Sequence, residues 1–575
     1  MPEPAASPRL RAAVWVAAAV LLLTGLGATD VNAPDEPRYA QVAEEMRAME
    51  HGLRGLVVLH LGGEVYTQKP PLYYGLAALL GAPGGRVGEW AARLPSALAG
   101  ILLVGLVLRF GHRLLGGASA VLGAALLLTA WEYAYLARRA QLDVLLALFE
   151  TLALAGFWSA DRGLAARGRS VALAHGAMGL AVLTKGPVGF LLPVLSMTAF
   201  LAWEGRLRDL RRLMPPWAFL LSVAPGLAWI TAATALAPQG FADEAVGTNL
   251  IGRFFAGTSH ERPFYYFFYQ FPADFLPWTL LLPVVAWAAA RRIFGEGDAD
   301  EPTRRAWRFL LAWFGASFVF FSISSGKRGL YLLPAFPAAA LLTADATLRW
   351  LAGRAAAPRA LAVGAGLFGA LLAAVGAIVV LAALGRPEVL DLLHRAEVME
   401  EVHRAWALAF GIAVVSVVIG AVAAWLVLAR MRSPTPVFTG VLVAGAFGIE
   451  LAVFGLLFPA IEPIDSTRPI AEAATAVTPP GQPVGLVGDA SMTGGLLYYG
   501  HRPVANLKEP EDVARFLAEG GRTLVVKRRK LERVTVVTPV EVVSSARTGR
   551  REVVVVRPAA VGDAAAGPGD DAPEG

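Results

Sequence analysis

The chain has 575 residues, of which 56% are hydrophobic and only 17% are charged. Soluble domains carry about 25% charged residues, so this composition excludes an ordinary soluble protein and places most of the chain in lipid. The net charge of +6 does not indicate nucleic-acid binding, because the arginines that produce it cluster in alternate loops between apolar runs. The chain has no cysteine, so an exported domain would fold without disulfides.

Apolar runs of roughly 18 residues, the length that crosses a bilayer core, recur until about residue 459 and predict about 13 transmembrane helices. We place these spans at residues 12–28, 90–108, 117–137, 143–160, 170–184, 187–204, 215–236, 276–290, 307–323, 329–348, 360–384, 405–429 and 436–459. The predicted fold class is therefore an α-helical polytopic membrane protein.

The arginine pattern predicts the orientation of these spans. Cytoplasmic loops retain Lys and Arg, so the N-terminus is expected in the cytoplasm, and an odd number of crossings places residues after about 460 in the periplasm. The first apolar run follows Arg9 and Arg11 and has features of a cleaved signal peptide, but the alternation of charge holds only if the run is kept as a helix. The Ala- and Arg-rich composition favours a bacterial inner-membrane protein.

The regions outside the membrane are predicted to hold their own structure. In the first external loop, residues 39–49 and 71–80 are amphipathic or apolar but too short to span, which predicts interfacial helices. Beyond residue 460, β-rich runs alternate with a helical stretch and predict an α/β domain of about 100 residues.

The β-rich runs are residues 484–487, 523–526, 534–537 and 552–556, and the helical stretch is residues 509–519. Residues 561–575 are rich in Ala, Gly, Pro and Asp, which predicts a disordered tail. The expected organisation is thus a membrane domain at 1–459, a periplasmic domain at 460–560 and a tail at 561–575.

Two adjacent acids, Asp35 and Glu36, follow the first span, with Arg38 close behind. Carboxylates at such a place serve as a general base, as metal ligands or as acceptors for sugar hydroxyls. The alternative is that Asp35 caps the helix that begins near Pro37. Asp143, at the outer end of the fourth span, has the same two interpretations: it is favoured by the helix dipole, or it joins Asp35 in activating an acceptor hydroxyl.

Several cations lie in the predicted external loops, where the arginine bias of the rest of the chain leads us to expect few. Lys69 precedes a proline pair and either binds a lipid phosphate or extends to the headgroups. Residues 324–331 bring two serines, two glycines, two cations and a tyrosine together, which suits a phosphate or a simple anchored loop. These outward cations indicate an anionic ligand; they are Arg38, Lys69, Lys185, Arg253, Lys327 and Arg328.

A series of motifs appears in order along the chain and resembles a known family. They are Asp-Glu-x-Arg-Tyr-Ala from Asp35, Lys-Pro-Pro-x-x-Tyr from Lys69, Ala-Arg-Leu-Pro-Ser-Ala-Leu at 92–98, Arg-x-x-x-x-Asp ending at Asp143, Lys-Gly-Pro at Lys185, Arg-Phe with a following His-x-x-Pro-Phe at 253–264, and Ser-x-x-Lys-x-x-x-Tyr-x-Leu-Pro ending at Pro334. The chain resembles the aminoarabinose transferase family of lipid A modification, which is related to the protein O-mannosyltransferases. The likeness covers about 460 residues.

The resemblance implies the GT-C fold of membrane glycosyltransferases and an inverting transfer from an undecaprenyl-phosphate-linked sugar to lipid A, another envelope glycan or lipid, or a protein. It implies that Asp35 is either the catalytic acid/base residue or a carboxylate that orients the acceptor, and that Asp143 assists in the acceptor site. The carrier phosphate is expected to contact Arg38, Lys69, Tyr331 and Arg253, and the loop composition adds Lys327. Further site candidates are Glu36, Gln68 and Lys185.

One residue departs from the family pattern. Aminoarabinose members commonly carry Glu before the Lys-Pro motif, whereas this chain has Gln68, which weakens a divalent-metal or aminosugar site shared with His260. A metal cofactor is left open on these grounds, and His260 alone is more often an exposed loop histidine than a ligand. The sugar is therefore not assigned.

Two rival functions are compatible with a polytopic membrane protein. A transporter or flippase of lipid-linked sugars would carry ionisable residues within its spans, inverted repeats and broken helices. In this chain the ionisable residues are almost confined to the ends of the predicted spans, and the sequence shows no internal repeat. A protein O-mannosyltransferase would use the same donor chemistry on a polypeptide acceptor. The expected partners are a polyprenyl-phosphate sugar, an envelope acceptor and membrane lipids, with no nucleic acid.

Overall fold

The computed structural model describes residues 7–32, 34–252, 261–294, 300–351, 436–459, 466–548 and 551–559. Its helices are α1 (Pro8–Leu23), α2 (Glu36–Ala48), α3 (Leu72–Gly81), α4 (Glu89–Leu115), α5 (Gly117–Leu128), α6 (Trp131–Ala137), α7 (Leu142–Arg162), α8 (Arg167–Lys185), α9 (Val188–Trp203), α10 (Leu210–Leu213), α11 (Pro216–Leu236), α12 (Tyr266–Asp274), α13 (Leu282–Phe294), α14 (Glu301–Ile323), α15 (Phe336–Leu351), α16 (Pro436–Ala452), α17 (Arg468–Val477), α18 (Thr493–Gly500), α19 (Pro510–Ala518) and α20 (Glu532–Thr535). Its strands are β1 (His60–Leu61), β2 (Glu64–Val65), β3 (Val484–Val487), β4 (Val504–Leu507), β5 (Leu524–Lys527), β6 (Val540–Thr548) and β7 (Arg551–Pro558).

Residue contacts divide the chain into two compact units. The membrane unit comprises Met1–Thr29, Val42–His60 and Val65–Ile461. The C-terminal unit comprises Asp30–Gln41, Leu61–Glu64 and Glu462–Gly575. The segment that carries Asp35 and Arg38 therefore belongs by its contacts to the C-terminal unit, although it follows the first apolar helix in sequence.

The membrane unit is built from apolar helices, as the hydropathy pattern predicts. Within the described ranges, five helical stretches are long and apolar enough to span a bilayer, or up to seven if each bent helix pair is one span. The predicted spans at 360–384 and 405–429 lie outside the described residues. The total of about 13 spans therefore stays a prediction.

One predicted span, residues 117–137, is bent rather than straight, and the predicted span at 276–290 follows a helix that meets it at a sharp angle. Helices α5 and α6 meet at 66°, and α12 meets the stretch Trp278–Arg292 at 112°. The two breaks satisfy each other's backbone groups: the Trp278 indole N–H donates to the Thr129 carbonyl (2.9 Å), and the Trp131 amide donates to the Leu276 carbonyl (2.9 Å). Broken helices are tolerated at membrane depth only where neighbouring protein satisfies the freed groups. The aromatic run at residues 264–271 belongs largely to α12.

Buried acids hold arginines at one end of the membrane unit. Asp161, in the last turn of α7, pairs with Arg206 (2.7 Å) and Arg305 (2.8 Å). Asp345, in α15, pairs with Arg292 (3.0 Å) and accepts a hydrogen bond from the Trp307 indole (2.8 Å). The arginines that set the predicted orientation thus also tie helix ends together. Because α7 begins at Leu142 and ends at Arg162, Asp143 lies at the opposite end of that helix from Asp161.

The C-terminal unit contains a five-stranded sheet in the order β4-β3-β5-β7-β6. Strand β3 is parallel to β4 and β5, and β7 is antiparallel to β5 and β6. Alternate side chains of a strand face opposite sides, so Val525 packs in a cluster with Ile470 and Leu496, whereas Val526 packs with Val513 and Phe516. The sheet is therefore covered on both faces, by α17 and α18 on one and by α19 on the other.

The sequence-based prediction of this unit is mostly confirmed in its elements. The runs 484–487, 523–526 and 552–556 fall on β3, β5 and β7, and residues 509–519 contain α19. The strand predicted at 534–537 is wrong, because Val534 and Thr535 lie in the short helix α20 and the next two residues form the turn after it. Val534 is buried in the cluster beside the sheet. Strands β4 and β6 and helices α17 and α18 were not predicted. The tail at 561–575 and the boundary at 460 lie outside the described residues.

The first predicted external loop contains the two expected helices. They are α2 and α3, for predicted ranges of 39–49 and 71–80. Their placement at the membrane interface stays a prediction. Between them lie the short strands β1 and β2, which form a two-stranded sheet that the sequence pattern did not indicate.

Candidate functional site

A buried ion pair joins Asp143 and Lys185 in the membrane unit. Asp143 lies in the first turn of α7, whose N-cap is Gln141, and Lys185 is the last residue of α8. The Lys185 ammonium donates to the Asp143 carboxylate, and the side chains are only 13% and 4% exposed. The same ammonium lies 4.6 Å from the centre of the Tyr331 ring. Three predicted site residues are therefore brought together.

This ion pair has a defined electrostatic character. The α7 N-terminus favours the Asp143 anion, while the Tyr331 ring face and the Asp143 carboxylate both favour the Lys185 cation. Taking the two charges out of water is costly, so such pairs persist where the geometry is good or where function requires them. The arrangement can hold a hydroxyl on the carboxylate and an anionic oxygen near the ammonium.

Further acids lie close to this pair and were not identified from the sequence. Glu132, in α6, is within electrostatic reach of the acids Asp143 and Asp274 and of the cations Arg139 and Arg328. A mixed cluster of this kind suits a polar ligand that carries both hydroxyl and phosphate groups. The sequence did contain an indication of this cluster, because Glu132 is an acid inside a predicted span.

Asp274 is held by its own helix, α12, and lies close to the segment that precedes α15. Its Oδ1 accepts a hydrogen bond from Gln270 (2.5 Å), and a Cβ added at Gly329 would lie 2.8 Å from its Oδ2. A glycine is thus needed where the Ser-x-x-Lys motif passes the carboxylate. Gly329 is therefore needed for close packing against Asp274, which its position in the sequence alone did not reveal.

Glu150 is a buried acid two turns beyond Asp143 on α7. It is 1% exposed, and neither carboxylate oxygen has a hydrogen-bond partner among the described residues. It lies within electrostatic reach of Lys185. An ionisable residue in the middle of an apolar helix is a functional-site candidate by default. This residue corrects our expectation that ionisable groups are confined to the ends of the spans.

Lys327 fastens the loop before α15. Its ammonium donates to the backbone carbonyl of Arg262 (3.0 Å) and to that of Ser324. Burial lowers the pKa of Lys327 below the usual range for lysine. These contacts give Lys327 a structural role in holding the loop. The predicted role of Lys327 in phosphate binding stays a prediction.

An amphipathic cavity of about 670 Å³ opens beside this loop. One part of its wall is aromatic and aliphatic, and the other part is polar and charged. Cavities of this type suit ligands with an apolar chain and a polar head. The apolar residues are Phe264, Phe268, Phe318, Val319 and Ile323, and the polar ones are Glu261, Arg262, Ser322, Ser325 and Lys327.

The Lys-Pro-Pro segment is braced against two helices. Gln68 and Lys69 are half-buried and precede α3. The Tyr73 hydroxyl donates to the Ala92 carbonyl (2.9 Å) and lies 2.9 Å from the Ser96 hydroxyl, which donates to the Gln141 carbonyl (2.8 Å). Ser96, from the motif at 92–98, thus connects this segment to the residue that caps α7. The motif has a structural explanation.

The C-terminal unit brings together Asp35, Glu36 and Arg38. Asp35 and Glu36 are buried, and the Arg38 guanidinium pairs with the Asp35 carboxylate. The Glu36 carboxylate accepts a hydrogen bond from the Asn32 amide (3.1 Å). Asp35 directly precedes α2, and its carbonyl accepts from the Tyr39 amide (2.9 Å). Asp35 therefore precedes the helix, as a capping residue would, and also pairs with the Arg38 cation. The capping interpretation and the functional interpretation are compatible.

Two predicted candidates, Arg253 and His260, lie outside the described residues. The remaining donor of the suggested metal site, Gln68, offers only a neutral amide oxygen, which is a poor ligand for zinc. Elsewhere in the described chain, ligand atoms of Glu45, Glu50 and His51 lie within 4.8 Å of one another. Glu50 is exposed there, and we assign no metal to this group.

Comparison with known proteins supports the resemblance that the motifs indicate. Residues 11–242 match the family model of dolichyl-phosphate-mannose-protein mannosyltransferases. The undecaprenyl phosphate-alpha-4-amino-4-deoxy-L-arabinose arabinosyl transferase 1 of Pseudomonas fluorescens is 31% identical over 327 residues, which are 55% of this chain and 54% of the relative. The corresponding enzyme of Edwardsiella ictaluri is 30% identical over 322 residues, 54% of each chain. The chain thus spans about half the length of the curated relatives it matches.

The fold is shared with a solved structure. The crystal structure of ArnT from Cupriavidus metallidurans bound to undecaprenyl phosphate superposes with a TM-score of 0.74 at 24% identity, covering 96% of this chain and 98% of that chain. The apo form of the same protein gives a TM-score of 0.73. The chain therefore has the GT-C membrane fold that the motifs predict, with a small C-terminal sheet.

Proposed function

We propose that the chain is a multi-pass glycosyltransferase of the bacterial inner membrane. It transfers a sugar from a polyprenyl phosphate, such as undecaprenyl phosphate, to an acceptor on the periplasmic face. The acceptor is lipid A, another envelope glycan or lipid, or a protein. The observation that carries this proposal is the buried Asp143–Lys185 pair beneath the Tyr331 ring, at the end of α7 opposite to the arginine-rich end.

The charge pattern supports a phosphate-bearing donor. When the sugar leaves its carrier, negative charge develops on the phosphate oxygen, and fixed cations stabilise that charge more effectively than proton donors do. Lys185 is a cation at a helix end that the arginine bias predicts to be periplasmic. The amphipathic cavity beside Lys327 offers an apolar wall of the kind that suits a prenyl chain.

The proposed reaction is an inverting displacement. The acceptor hydroxyl oxygen attacks the anomeric carbon, the bond from that carbon to the phosphate oxygen breaks, and the hydroxyl proton passes to the Asp35 carboxylate. Arg38 and Lys69 stabilise the departing phosphate, with Tyr331, Arg253 and Lys327 as further phosphate contacts. Asp143 orients the acceptor. The predicted candidates Glu36, Gln68 and Lys185 support these groups.

A transporter of lipid-linked sugars is the second candidate, and particular observations favour it. Glu150 lies within an apolar helix, and two helix pairs are bent at breaks of the kind that transporters use. The transferase is preferred because the fold and the motifs resemble those of transferases. The two functions differ in products: a transferase releases free polyprenyl phosphate, whereas a transporter leaves the sugar–phosphate bond intact.

The decisive experiment is a transfer assay with the full chain in lipid nanodiscs. Undecaprenyl phosphate carrying a radiolabelled sugar is mixed with lipid A, and free undecaprenyl phosphate and labelled acceptor are measured. Asp35→Asn should lower turnover by about 10²- to 10⁴-fold, with an unchanged elution profile. Glu64→Gln is the matched control, because it removes an exposed carboxylate from the same predicted loop. Near-normal turnover by Asp35→Asn would contradict the assignment.

The donor sugar and the acceptor are identified by a complementary measurement. Mass spectrometry of lipid A, surface glycans and exported proteins from a deletion strain should show one missing sugar. Loss from lipid A identifies a lipid A transferase, whereas loss from exported proteins favours O-mannosyltransferase-type chemistry. An unaltered envelope under conditions of expression would count against every acceptor class proposed here.

A further inference from the structure

The segment Asp30–Gln41, which carries Asp35 and Arg38, is grouped by its contacts with the C-terminal unit and not with the helix that precedes it. Helix α2 begins at Glu36, so its first turn belongs to this segment. The chain after residue 462 therefore contacts the residues to which the proposed function gives the central chemical role. Some of these contacts are polar, and others are close packing against glycine.

Polar contacts hold the start of the segment at two adjacent residues. The Ser466 hydroxyl donates to Asp30 Oδ2 (2.6 Å), and Arg468 pairs with Asp30 Oδ1 (2.8 Å). The Val31 amide donates to the Tyr499 hydroxyl (2.7 Å). The Arg468 guanidinium lies 4.5 Å from the centre of the Tyr499 ring, so the two groups that hold the segment also hold each other.

A backbone contact holds the segment at the residue that pairs with Asp35. A Cβ added at Gly494, in α18, would lie 2.6 Å from the Arg38 amide nitrogen and 2.8 Å from its Cα. Both atoms are backbone, so no rotation of a side chain would relieve the overlap. Helix α18 therefore lies directly against the backbone of Arg38, at a distance that only glycine permits.

The same helix contacts the turn between β1 and β2. A Cβ added at Gly62 would lie 2.8 Å from a methyl carbon of Leu497. Helix α18 thus contacts both short pieces of the N-terminal region that belong to the C-terminal unit. Its own position is set by the sheet, since Leu496 and Met492 pack in the buried cluster with Val525 and Val555.

We infer that the C-terminal unit positions the Asp35–Arg38 pair for catalysis, and that the positioning residues are Gly494, Tyr499, Ser466 and Arg468. The inference rests on the proposed role of Asp35. A displacement of a reacting group by about 1 Å lowers a rate by about 10²-fold. The clamp, defined as Gly494, Tyr499, Ser466 and Arg468, gives the segment three fixed points between Asp30 and Arg38. The sheet is thus the support of a proposed active-site segment.

Two variants test the clamp in the full chain. Gly494→Ala introduces the backbone overlap with Arg38, and Tyr499→Phe removes the oxygen that accepts from Val31 while keeping the ring beside Arg468. Val513→Ala is the matched control, because Val513 is fully buried in α19 on the other face of the sheet. It loosens the same unit without touching the segment.

The first readout is hydrogen exchange of residues 30–41, which is independent of activity. We expect faster exchange in both clamp variants, at the Val31 amide in Tyr499→Phe in particular, and wild-type exchange of this segment in Val513→Ala. The second readout is steady-state transfer. We expect kcat to fall at least about tenfold in Gly494→Ala, because Asp35 is displaced, which corresponds to about 1.4 kcal/mol of barrier. We also expect KM for the polyprenyl-phosphate sugar to rise, because Arg38 is proposed to contact the donor phosphate.

The outcomes separate this inference from the proposed function. If Asp35→Asn is inactive while Gly494→Ala turns over at the wild-type rate, the positioning role is overturned and the proposed function stands. If Val513→Ala lowers kcat as much as Gly494→Ala, the effect is general loss of stability and the positioning role is also overturned. If the wild-type protein transfers no sugar from a polyprenyl phosphate, the proposed function fails and the positioning role for catalysis fails with it.

Discussion

Replacing Lys185 with methionine removes one partner of the buried ion pair and leaves the other charged. The Asp143 carboxylate is 4% exposed and already lies within electrostatic reach of Glu132 and Glu150, so it would lose its neutralising cation in an acidic environment. Breaking a buried pair from one side destabilises by about 3–5 kcal/mol. Because Lys185 keeps 13% exposure, we expect about 3 kcal/mol. The free energy of unfolding is measured by SDS titration in mixed micelles.

The double variant Asp143→Leu, Lys185→Met separates stability from chemistry. With both charges removed, most of the lost unfolding free energy should return, since apolar replacements of a buried pair are often neutral or stabilising. Lys185→Met should lose sugar transfer, and the double variant should not regain it if Asp143 orients the acceptor. Recovery of transfer by the double variant would show that the pair is only structural. An unchanged unfolding free energy in Lys185→Met would refute the pairing itself.

Two further predictions concern the donor and the C-terminal unit. Lys69→Ala should raise KM for the polyprenyl-phosphate sugar by about tenfold or more, as expected for the loss of about 1.4 kcal/mol of phosphate binding. The measurement is the dependence of the rate on donor concentration at a fixed acceptor concentration. An unchanged dependence would contradict the role of Lys69. Burial raises the pKa of Asp489, but hydrogen bonds from Lys527 (2.5 Å) and Ser491 outweigh this and lower it below 3.8. The stability that the Asp489 carboxylate adds is fully present at a pH above its pKa in the unfolded chain. It is lost as the pH falls through the lower pKa that this carboxyl has in the folded protein. In thermal melts, the wild-type protein should therefore lose stability as the pH falls below about 4, and Asp489→Asn should lose less stability over the same range.

The membrane architecture was predictable because its cause is local in sequence. An apolar run long enough to cross a bilayer must be helical in lipid, whatever its neighbours are. The bends were not predictable in the same way. The break at Thr129 and Ala130 contains neither glycine nor proline, and its backbone groups are satisfied by Trp278 and Leu276, well over a hundred residues later.

The candidate site was predictable in its residue types and only partly in its groupings. Exceptions to the arginine bias identified Lys185, and the motifs identified Asp143 and Tyr331, which the structure brings together. Glu132 and Glu150 were missed, although each was visible as an acid inside a predicted span. Asp274 was missed because its importance depends on Gly329, which approaches it only in the folded chain.

The amino-acid sequence alone determined that this protein lies in a membrane, which way it is expected to face and which family it resembles. These properties depend on composition, on charge bias and on short motifs, all of which are read over a few tens of residues. The tertiary structure alone decided that the Asp35–Arg38 segment belongs to the C-terminal unit. That assignment depends on contacts such as Ser466 with Asp30, whose partners are 436 residues apart, and no periodicity records an interaction over such a separation.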